Sequence, residues 1–224
     1  MGTIQAVIFD LDGVIVSTDN CHYLGWKRMA DEEGIPFDRM ENDRLRGVSR
    51  MASLEIVLEK AGRSYTEDEK LALAERKNRY YVELIQQLTA DAILPGAMET
   101  LHALRERGIK LAIGSSSRNT PIILRQIGLS EYFDAVADGN QITRSKPDPE
   151  VFLLAARLLG VEPSCCLVVE DALAGVEAAL AGGMRALGVG SAAREPSATY
   201  CAQSLAHVDI KAILRDAEQE EGHA

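Results

Sequence analysis

The stretch Ile4-Gln5-Ala6-Val7-Ile8-Phe9-Asp10-Leu11-Asp12-Gly13 decides the fold of this chain. Its first part, Ile4–Phe9, is apolar and rich in strand-forming residues, which predicts a buried strand. Asp10 and Asp12 lie two positions apart and therefore share one face of an extended chain. They come at the carboxyl end of the strand, where the active sites of parallel sheets usually lie. An acidic pair there can bind Mg²⁺ and can supply a nucleophile beside a proton-transfer group.

Composition narrows the class of protein. The chain has 224 residues, of which 46% are hydrophobic, and a formal net charge of -10. We expect one or two domains, and the acidic surface argues against a nucleic-acid partner. No apolar run reaches the roughly 18 residues of a membrane span, and a strand begins almost at the first residue. We therefore expect no membrane association, no signal peptide and a cytoplasmic monomer whose four cysteines are reduced.

Strand and helix patterns alternate after the first strand. Further strands are predicted at Lys110–Gly114, Ala135–Ala137, Cys166–Val169 and Ala186–Val189. Helices are predicted at Ala97–Arg107 and Pro121–Ile127, from Asp148-Pro149 onward, and at Ala172–Ala181. This alternation predicts an α/β fold, with a Rossmann-like parallel sheet and helices on both faces.

The interval between the first two strands has helical periodicity only. Thr66-Glu67-Asp68-Glu69 fits a capping box that opens a long helix toward Leu88. Because an ordinary connection takes only a few residues, we expect an inserted helical cap domain over residues 17–89. The core would then comprise residues 1–16 and 90–224. Val16–Asp19 and Asp91–Pro95 would be hinges, so the insertion could act as a lid over the acidic pair.

Three more features come where predicted strands end. Ser115-Ser116-Ser117 can hold phosphate oxygens through N–H and O–H groups, although such a turn also commonly caps a helix. Lys146 can neutralise an anion, or it can be an ordinary solvated lysine. Glu170-Asp171 can complete an oxygen cage for Mg²⁺, or it can cap the next helix.

The four features in this order resemble the haloacid dehalogenase superfamily over essentially the whole chain. The resemblance implies that Asp10 attacks phosphorus and that Asp12 is the general acid and base. It also implies that Ser115 and Lys146 hold the phosphoryl oxygens. Mg²⁺ would be bound by the two aspartates together with Glu170 and Asp171. Members that cleave carbon–halogen bonds lack the second aspartate and the metal, so the pattern favours phosphoryl transfer.

The insertion carries a second set of candidate residues. The loop Leu45–Arg50, with Ser53 just beyond it, places a glycine between two arginines before a helix, which suits either a second anion or plain solvation. His22 and Trp26 are four apart and share a helix face, where a structural role is the simpler interpretation of each. Lys77 lies on the long helix, where it could also be one solvated charge among many.

Together these residues resemble the β-phosphoglucomutase branch of the superfamily, which has a helical cap. The resemblance implies that the cap loop holds the distal phosphate of a hexose bisphosphate and that a serine-loop segment binds the other end of the ligand. It implies that His22 and Lys77 link cap closure to Asp12. Arg46 stands where lysine is usual, and Ser17 replaces an acidic hinge residue. The substrate-binding residues implied are His22, Trp26, Arg46, Gly47, Val48, Ser49, Arg50, Ser53, Lys77, Ser115, Ser116, Ser117, Arg118, Asn119 and Lys146.

The expected activity follows from this resemblance. It is a Mg²⁺-dependent interconversion of β-D-glucose 1-phosphate and glucose 6-phosphate, through a phospho-aspartate and glucose 1,6-bisphosphate. The expected partners are small sugar phosphates. A Mg²⁺-dependent phosphatase acting on sugar phosphates is the alternative, because the core chemistry is the same. A catalytically silent interaction protein is disfavoured, because every reacting group is present.

Overall fold

A computed structural model describes residues 2–45 and 48–221 of the chain. The chain divides into two compact units, one made of Met1–Ser17 with Thr89–Ala224 and the other of Thr18–Leu88. We call the first the sheet unit and the second the helical unit. No helix in the described ranges is both long and apolar enough to cross a membrane.

The sheet unit is built on six parallel strands in the order β3-β2-β1-β4-β5-β6. Phe9 of the first strand lies beside Ile113 on one side and Val169 on the other. The carboxyl ends of these three strands therefore meet at one edge of the sheet. The strands are β1 (Ala6–Phe9), β2 (Lys110–Gly114), β3 (Ala135–Ala137), β4 (Cys166–Glu170), β5 (Arg185–Gly188) and β6 (Tyr200–Cys201).

Helices surround this sheet, as the α/β pattern predicts. Successive side chains of a strand point to opposite faces, so Ile8 and Phe9 lie on the two faces of the sheet. Ile8 belongs to an apolar cluster with Phe152 and Val176, and Phe9 is fully buried on the other face. The helices of this unit are α5 (Ala97–Arg105), α6 (Thr120–Gln126), α7 (Glu150–Leu159), α8 (Leu173–Ala181) and α9 (Ile210–Glu221).

The described elements of the helical unit are all helices. Thr66 and Glu69 form the predicted capping box at the start of the longest helix. The first and last helices pack along each other, and the core between the helices holds Trp26, Met29 and Leu54. The helices are α1 (Asp19–Glu32), α2 (Arg39–Asp43), α3 (Arg50–Leu58) and α4 (Glu67–Ile85).

Element boundaries differ from the sequence predictions by a few residues. Helix α7 begins at Glu150 rather than Pro149, although the Asp148 carboxylate still accepts a hydrogen bond from the Glu150 N–H at 3.0 Å. Helix α4 ends at Ile85, three residues earlier than the periodicity predicts. Strand β6 is missing from the prediction, because two residues are too few to produce a detectable alternation.

Candidate active site

Asp10 and Asp12 lie directly beyond β1. The Asp10 N–H donates to the Val169 carbonyl at 2.9 Å, which continues the pairing of β1 with β4 by one residue. Gly13 has a φ of +89°, and a Cβ there would lie 2.2 Å from Oδ2 of Asp171. Glycine is therefore required at this position for two reasons: its backbone adopts the positive φ of the turn, and the absence of a Cβ lets Asp171 approach.

Lys146 joins the ends of β1 and β4. Its Nζ lies 2.5 Å from Oδ1 of Asp10 and 2.8 Å from Oε2 of Glu170. The other Glu170 oxygen accepts the N–H groups of Asp171 and Ala172, each at 3.1 Å. Glu170 therefore combines an ion pair with acceptance of the turn N–H groups before α8, and its role as a Mg²⁺ ligand stays a prediction.

Burial and crowded carboxylates together set the pKa values of this cluster. Burial raises the pKa of Asp10 to about 7 against the opposing effect of Lys146, and Glu170 and Asp12 raise it further. Burial also raises the pKa of Asp171 to about 8, assisted by Asp10 and Glu170. Burial disfavours the Lys146 ammonium, but its two carboxylate partners outweigh this and raise the Lys146 pKa. The lysine therefore stays charged while the carboxylates around it repel one another.

Three of the four predicted metal ligands converge. Oxygens of Asp10, Glu170 and Asp171 all lie within 4.8 Å of one another, a spacing that one cation could bridge. The Asp12 carboxylate does not belong to this group. Its assignment as a metal ligand stays a prediction.

The serine turn follows β2. The Ser115 Oγ accepts the Ser117 N–H at 3.2 Å, and the Ser117 Oγ accepts the Asn119 N–H at 3.2 Å. A hydroxyl that accepts in this way keeps its own hydrogen to donate elsewhere. The Ser116 hydroxyl is buried and has no hydrogen-bond partner in the described parts of the chain. Arg118 is exposed, whereas Asn119 is buried.

The loop before α3 is held by its own hydroxyl groups. Ser49 caps α3 by accepting the Ala52 N–H at 3.4 Å, and the Ser53 hydroxyl donates to the Val48 carbonyl at 3.4 Å. Arg50 is the first residue of α3. Arg46 and Gly47 lie outside the described residues, so their predicted roles stay predictions.

Lys77 is buried between α1 and α4 rather than solvated. Its Nζ lies 2.9 Å from Nδ1 of His22, and 4.8 and 4.7 Å from the ring centroids of Trp26 and Tyr81. Burial, with the nearby charges of Lys77 and Arg50, holds the pKa of His22 well below its usual value. The imidazole is therefore neutral near pH 7, and its Nδ1 accepts from the ammonium.

Two members of this group are missing from the sequence prediction. The Tyr81 ring contacts His22 in a tilted arrangement with ring centroids 4.1 Å apart, and its hydroxyl lies 3.0 Å from that of the fully buried Thr18. The four-residue spacing of Lys77 and Tyr81 on one helix face is the signal that could have identified Tyr81. The buried ring of Trp26 contacts Lys77, and its place in substrate binding stays a prediction.

The sequence of this chain is similar to those of known proteins. Residues 4–183 match the protein family described as haloacid dehalogenase-like hydrolase. The chain is 42% identical over 217 residues to a β-phosphoglucomutase of Bacillus subtilis, covering 96% of each protein. It is 33% identical over 214 residues to a phosphorylated carbohydrates phosphatase of Thermotoga maritima, covering 94% of this chain and 96% of that protein.

The fold is also similar to that of a solved structure. A crystal structure of β-phosphoglucomutase from Clostridium difficile matches with a TM-score of 0.87 and 38% identity. The match covers 97% of this chain and 98% of that one. Sequence and fold therefore resemble the same class of enzyme over nearly the whole length.

Proposed function

The chain belongs to the haloacid dehalogenase-like hydrolase family, and we propose that it is a Mg²⁺-dependent phosphomutase. It interconverts β-glucose 1-phosphate and glucose 6-phosphate through a phosphorylated Asp10 and glucose 1,6-bisphosphate. The observation that carries this proposal is the placement of Lys146 between Asp10 and Glu170 at the ends of neighbouring strands. This arrangement offers a nucleophile, a fixed positive charge and a cation site within one cluster.

The donor set of the acidic cluster fits Mg²⁺. Three carboxylates within 4.8 Å of one another supply only oxygen ligands, which this hard cation prefers. Burial raises the pKa of Asp10 and of Asp171, and neighbouring carboxylates add to this, so a bound cation would favour the ionised form of both acids. We assign the ion to Asp10, Glu170 and Asp171, together with Asp12. When bound, Mg²⁺ supplies positive charge that offsets the repulsion between a carboxylate and a phosphate.

The reaction assigns a separate step to each aspartate. Asp10 attacks phosphorus, the bond from phosphorus to the sugar oxygen breaks, and Asp12 gives its proton to the leaving oxygen. In the other direction Asp12 takes the proton of a sugar hydroxyl, whose oxygen then attacks the phosphorylated Asp10. Lys146 uses two of its three N–H groups on Asp10 and Glu170, which leaves one for a phosphoryl oxygen. The serine turn supplies further donors to the same oxygens.

The full cycle needs two orientations of one intermediate. β-Glucose 1-phosphate receives the phosphoryl group at its 6-hydroxyl, and the 1,6-bisphosphate then turns end for end. Asp10 removes the 1-phosphate and glucose 6-phosphate leaves. A mutase therefore needs a second anion site, which we assign to the Val48-Ser49-Arg50 loop and its arginine. Two supporting observations are the ordering of this loop by Ser49 and Ser53 and the positive charge that Arg50 and Lys77 exert on His22.

A steady-state assay tests the proposal. β-Glucose 1-phosphate is supplied with Mg²⁺ and a trace of glucose 1,6-bisphosphate, and glucose 6-phosphate and inorganic phosphate are measured together. We expect glucose 6-phosphate to form much faster than phosphate, and we expect the bisphosphate to accelerate it. Phosphate release that outruns glucose 6-phosphate formation would overturn the proposal.

A sugar-phosphate phosphatase is the second candidate function. The observation that favours it is the 33% identity to the Thermotoga maritima phosphatase over 94% of this chain. A phosphatase needs only the sheet-unit site and a water molecule to hydrolyse the phosphorylated Asp10. The same assay separates the two, because only the mutase depends on the bisphosphate.

A further inference from the structure

The loop that carries Lys146 is closed by a carboxylate from the next helix. Glu150, the first residue of α7, accepts the backbone N–H of Thr143 at 3.1 Å and that of Arg144 at 2.8 Å. The Thr143 hydroxyl also donates to both carboxylate oxygens, at 3.2 and 3.1 Å. One side chain therefore fixes two consecutive residues of the loop, two and three positions before Lys146.

The chain on the other side of Lys146 is fixed to the same point. Asp148 accepts the Glu150 N–H at 3.0 Å and forms an ion pair with Arg144 at 3.0 Å. Arg144 and Asp148 stand two residues before and two residues after Lys146. Hydrogen bonds and an ion pair therefore hold the loop both before and after Lys146 in the chain. Glu150 takes part on each side, through its carboxylate before the lysine and its backbone N–H after it.

Helix α7 also supports the lysine side chain directly. The Lys146 Nζ lies 4.6 Å from the ring centroid of Phe152, two residues beyond Glu150. The ring has room because residue 114 is glycine: a Cβ there would lie 2.7 Å from Cδ1 of Phe152. The helix that closes the loop therefore also supports the ammonium at its tip.

The charge state of Glu150 fits this role. Hydrogen bonds from the backbone of Thr143 and Arg144 lower the pKa of the Glu150 carboxyl. The ionised form accepts N–H and O–H donors at both of its oxygens, whereas an amide accepts at one atom only and donates at the other.

We propose that Glu150 is a positioning residue that acts through Lys146: it holds the 143–149 loop so that the ammonium reaches Asp10 and Glu170. This inference rests on the proposed role of Lys146 in phosphoryl transfer, and it adds a residue that touches neither substrate nor metal. Both mutase and phosphatase chemistry need Lys146, so it does not depend on which of the two the enzyme performs.

The test is a double-mutant cycle between Glu150 and Lys146. Glu150→Gln keeps the size of the side chain but presents an NH₂ group to N–H donors. We expect it to lower kcat/KM by about 10–100-fold, the range typical of residues that orient a reacting group. In a Lys146→Met background the same change should lower kcat/KM by less than about twofold, because its effect passes through the lysine. Activity is measured both as glucose 6-phosphate formation and as hydrolysis of p-nitrophenyl phosphate.

Two further variants separate positioning from simple stability. Glu150→Asp keeps the carboxylate and should recover most of the activity lost in Glu150→Gln. Glu195→Gln is the matched control, since Glu195 also accepts an N–H and a hydroxyl, both from Ser197, in the segment between β5 and β6. It should leave kcat/KM unchanged. Thermal unfolding of each variant shows that the folded protein is being compared.

Three results would overturn the inference. They are full activity of Glu150→Gln, equal losses in the two backgrounds, and no recovery with Glu150→Asp. Failure of the proposed function gives a different pattern: the ester is hydrolysed with the expected cycle, but glucose 6-phosphate does not form. The two failures are therefore distinguishable.

Discussion

Lys146 of the sheet unit is partly buried and Lys77 of the helical unit is buried, and the two lysines are stabilised in different ways. In the sheet unit Lys146 lies between the carboxylates of Asp10 and Glu170. In the helical unit Lys77, only 3% exposed, lies against the ring nitrogen of His22 and the faces of two aromatic rings. Carboxylates balance the first charge, whereas an imidazole and the faces of aromatic rings contact the second.

The groups around the two lysines bear on which ion each unit is proposed to bind. Burial raises the pKa of Asp10 and of Asp171, and the neighbouring carboxylates add to this effect. Burial lowers the pKa of His22, and the positive charges of Lys77 and Arg50 add to this effect. In the proposed function the sheet unit binds the cation, and the helical unit binds the second phosphate of a bisphosphate. The predictions below test that division of labour, from the largest expected effect to the smallest.

Removal of the nucleophile should abolish both reactions. We expect Asp10→Asn to lower glucose 6-phosphate formation and ester hydrolysis by at least about 10⁴-fold, as is typical when a covalent nucleophile is lost. The matched control is Asp138→Asn, directly after strand β3, which should keep activity within about tenfold because it removes no reacting group. A fully active Asp10→Asn variant would show that another residue attacks phosphorus.

Removal of the helical-unit arginine should affect only one reaction. Arg50→Ala should lower mutase turnover by about 10–100-fold, the value of one charge-assisted hydrogen bond to phosphate. Hydrolysis of p-nitrophenyl phosphate, which has no second phosphate, should change little. Arg63→Ala, an exposed arginine of the same unit paired with Glu69, is the control. Equal losses in both reactions would remove the second anion site from the helical unit.

Two glycine substitutions compare the units at equal backbone cost. Gly13→Ala and Gly34→Ala both force alanine into positive φ, at about 1–2 kcal/mol of stability. Only at Gly13 does the new Cβ meet Asp171, at 2.2 Å from Oδ2, whereas nothing lies within 4 Å at Gly34. Gly13→Ala should therefore raise the Mg²⁺ concentration for half-maximal activity by about tenfold or more. An equal change in Gly34→Ala would mean that strain, rather than Asp171, is responsible.

The neutral histidine should make the helical unit sensitive to acid. Its folded-state pKa is lowered, so its contribution to stability is complete above the unfolded value near 6.5 and is lost as pH falls below it. The free energy of unfolding should fall by up to about 1.4 kcal/mol per pH unit there. Fluorescence of Trp26, the single tryptophan, reports this unit in urea titrations. His22→Gln should flatten the pH dependence of the free energy of unfolding, and His207→Gln, at an exposed histidine, should leave it unchanged. A steep slope that persists in His22→Gln would show that another group causes the pH dependence.

The sheet-unit site could be predicted from sequence because its residues follow strands. Once β1, β2 and β4 are recognised, the parallel topology brings Asp10, Ser115 and Glu170 to one edge. The sequence also identified Lys146, but not its two carboxylate partners, because they lie 136 and 24 residues away in the chain. Those pairings depend on how the 143–149 loop is held, which no local pattern reveals.

The helical-unit site was less predictable for a related reason. Helical spacing places His22 and Trp26 on one face, but the contact of His22 with Lys77 joins residues 55 apart. Periodicity within a helix cannot say which other helix it packs against. Residues such as Thr18 and Tyr81, which bear no charge and match no motif, were missed although they complete the cluster.

A single-turnover label transfer tests the central claim, that Asp10 carries the phosphoryl group between two sugars. Enzyme phosphorylated with unlabelled phosphate is mixed with β-glucose 1-phosphate that carries ³²P at position 1, and the reaction is quenched in acid. We predict ³²P on the peptide that contains Asp10 and unlabelled glucose 6-phosphate, because the phosphate that leaves position 1 stays on the enzyme. Label found directly in glucose 6-phosphate, or released as inorganic phosphate, would contradict the claim.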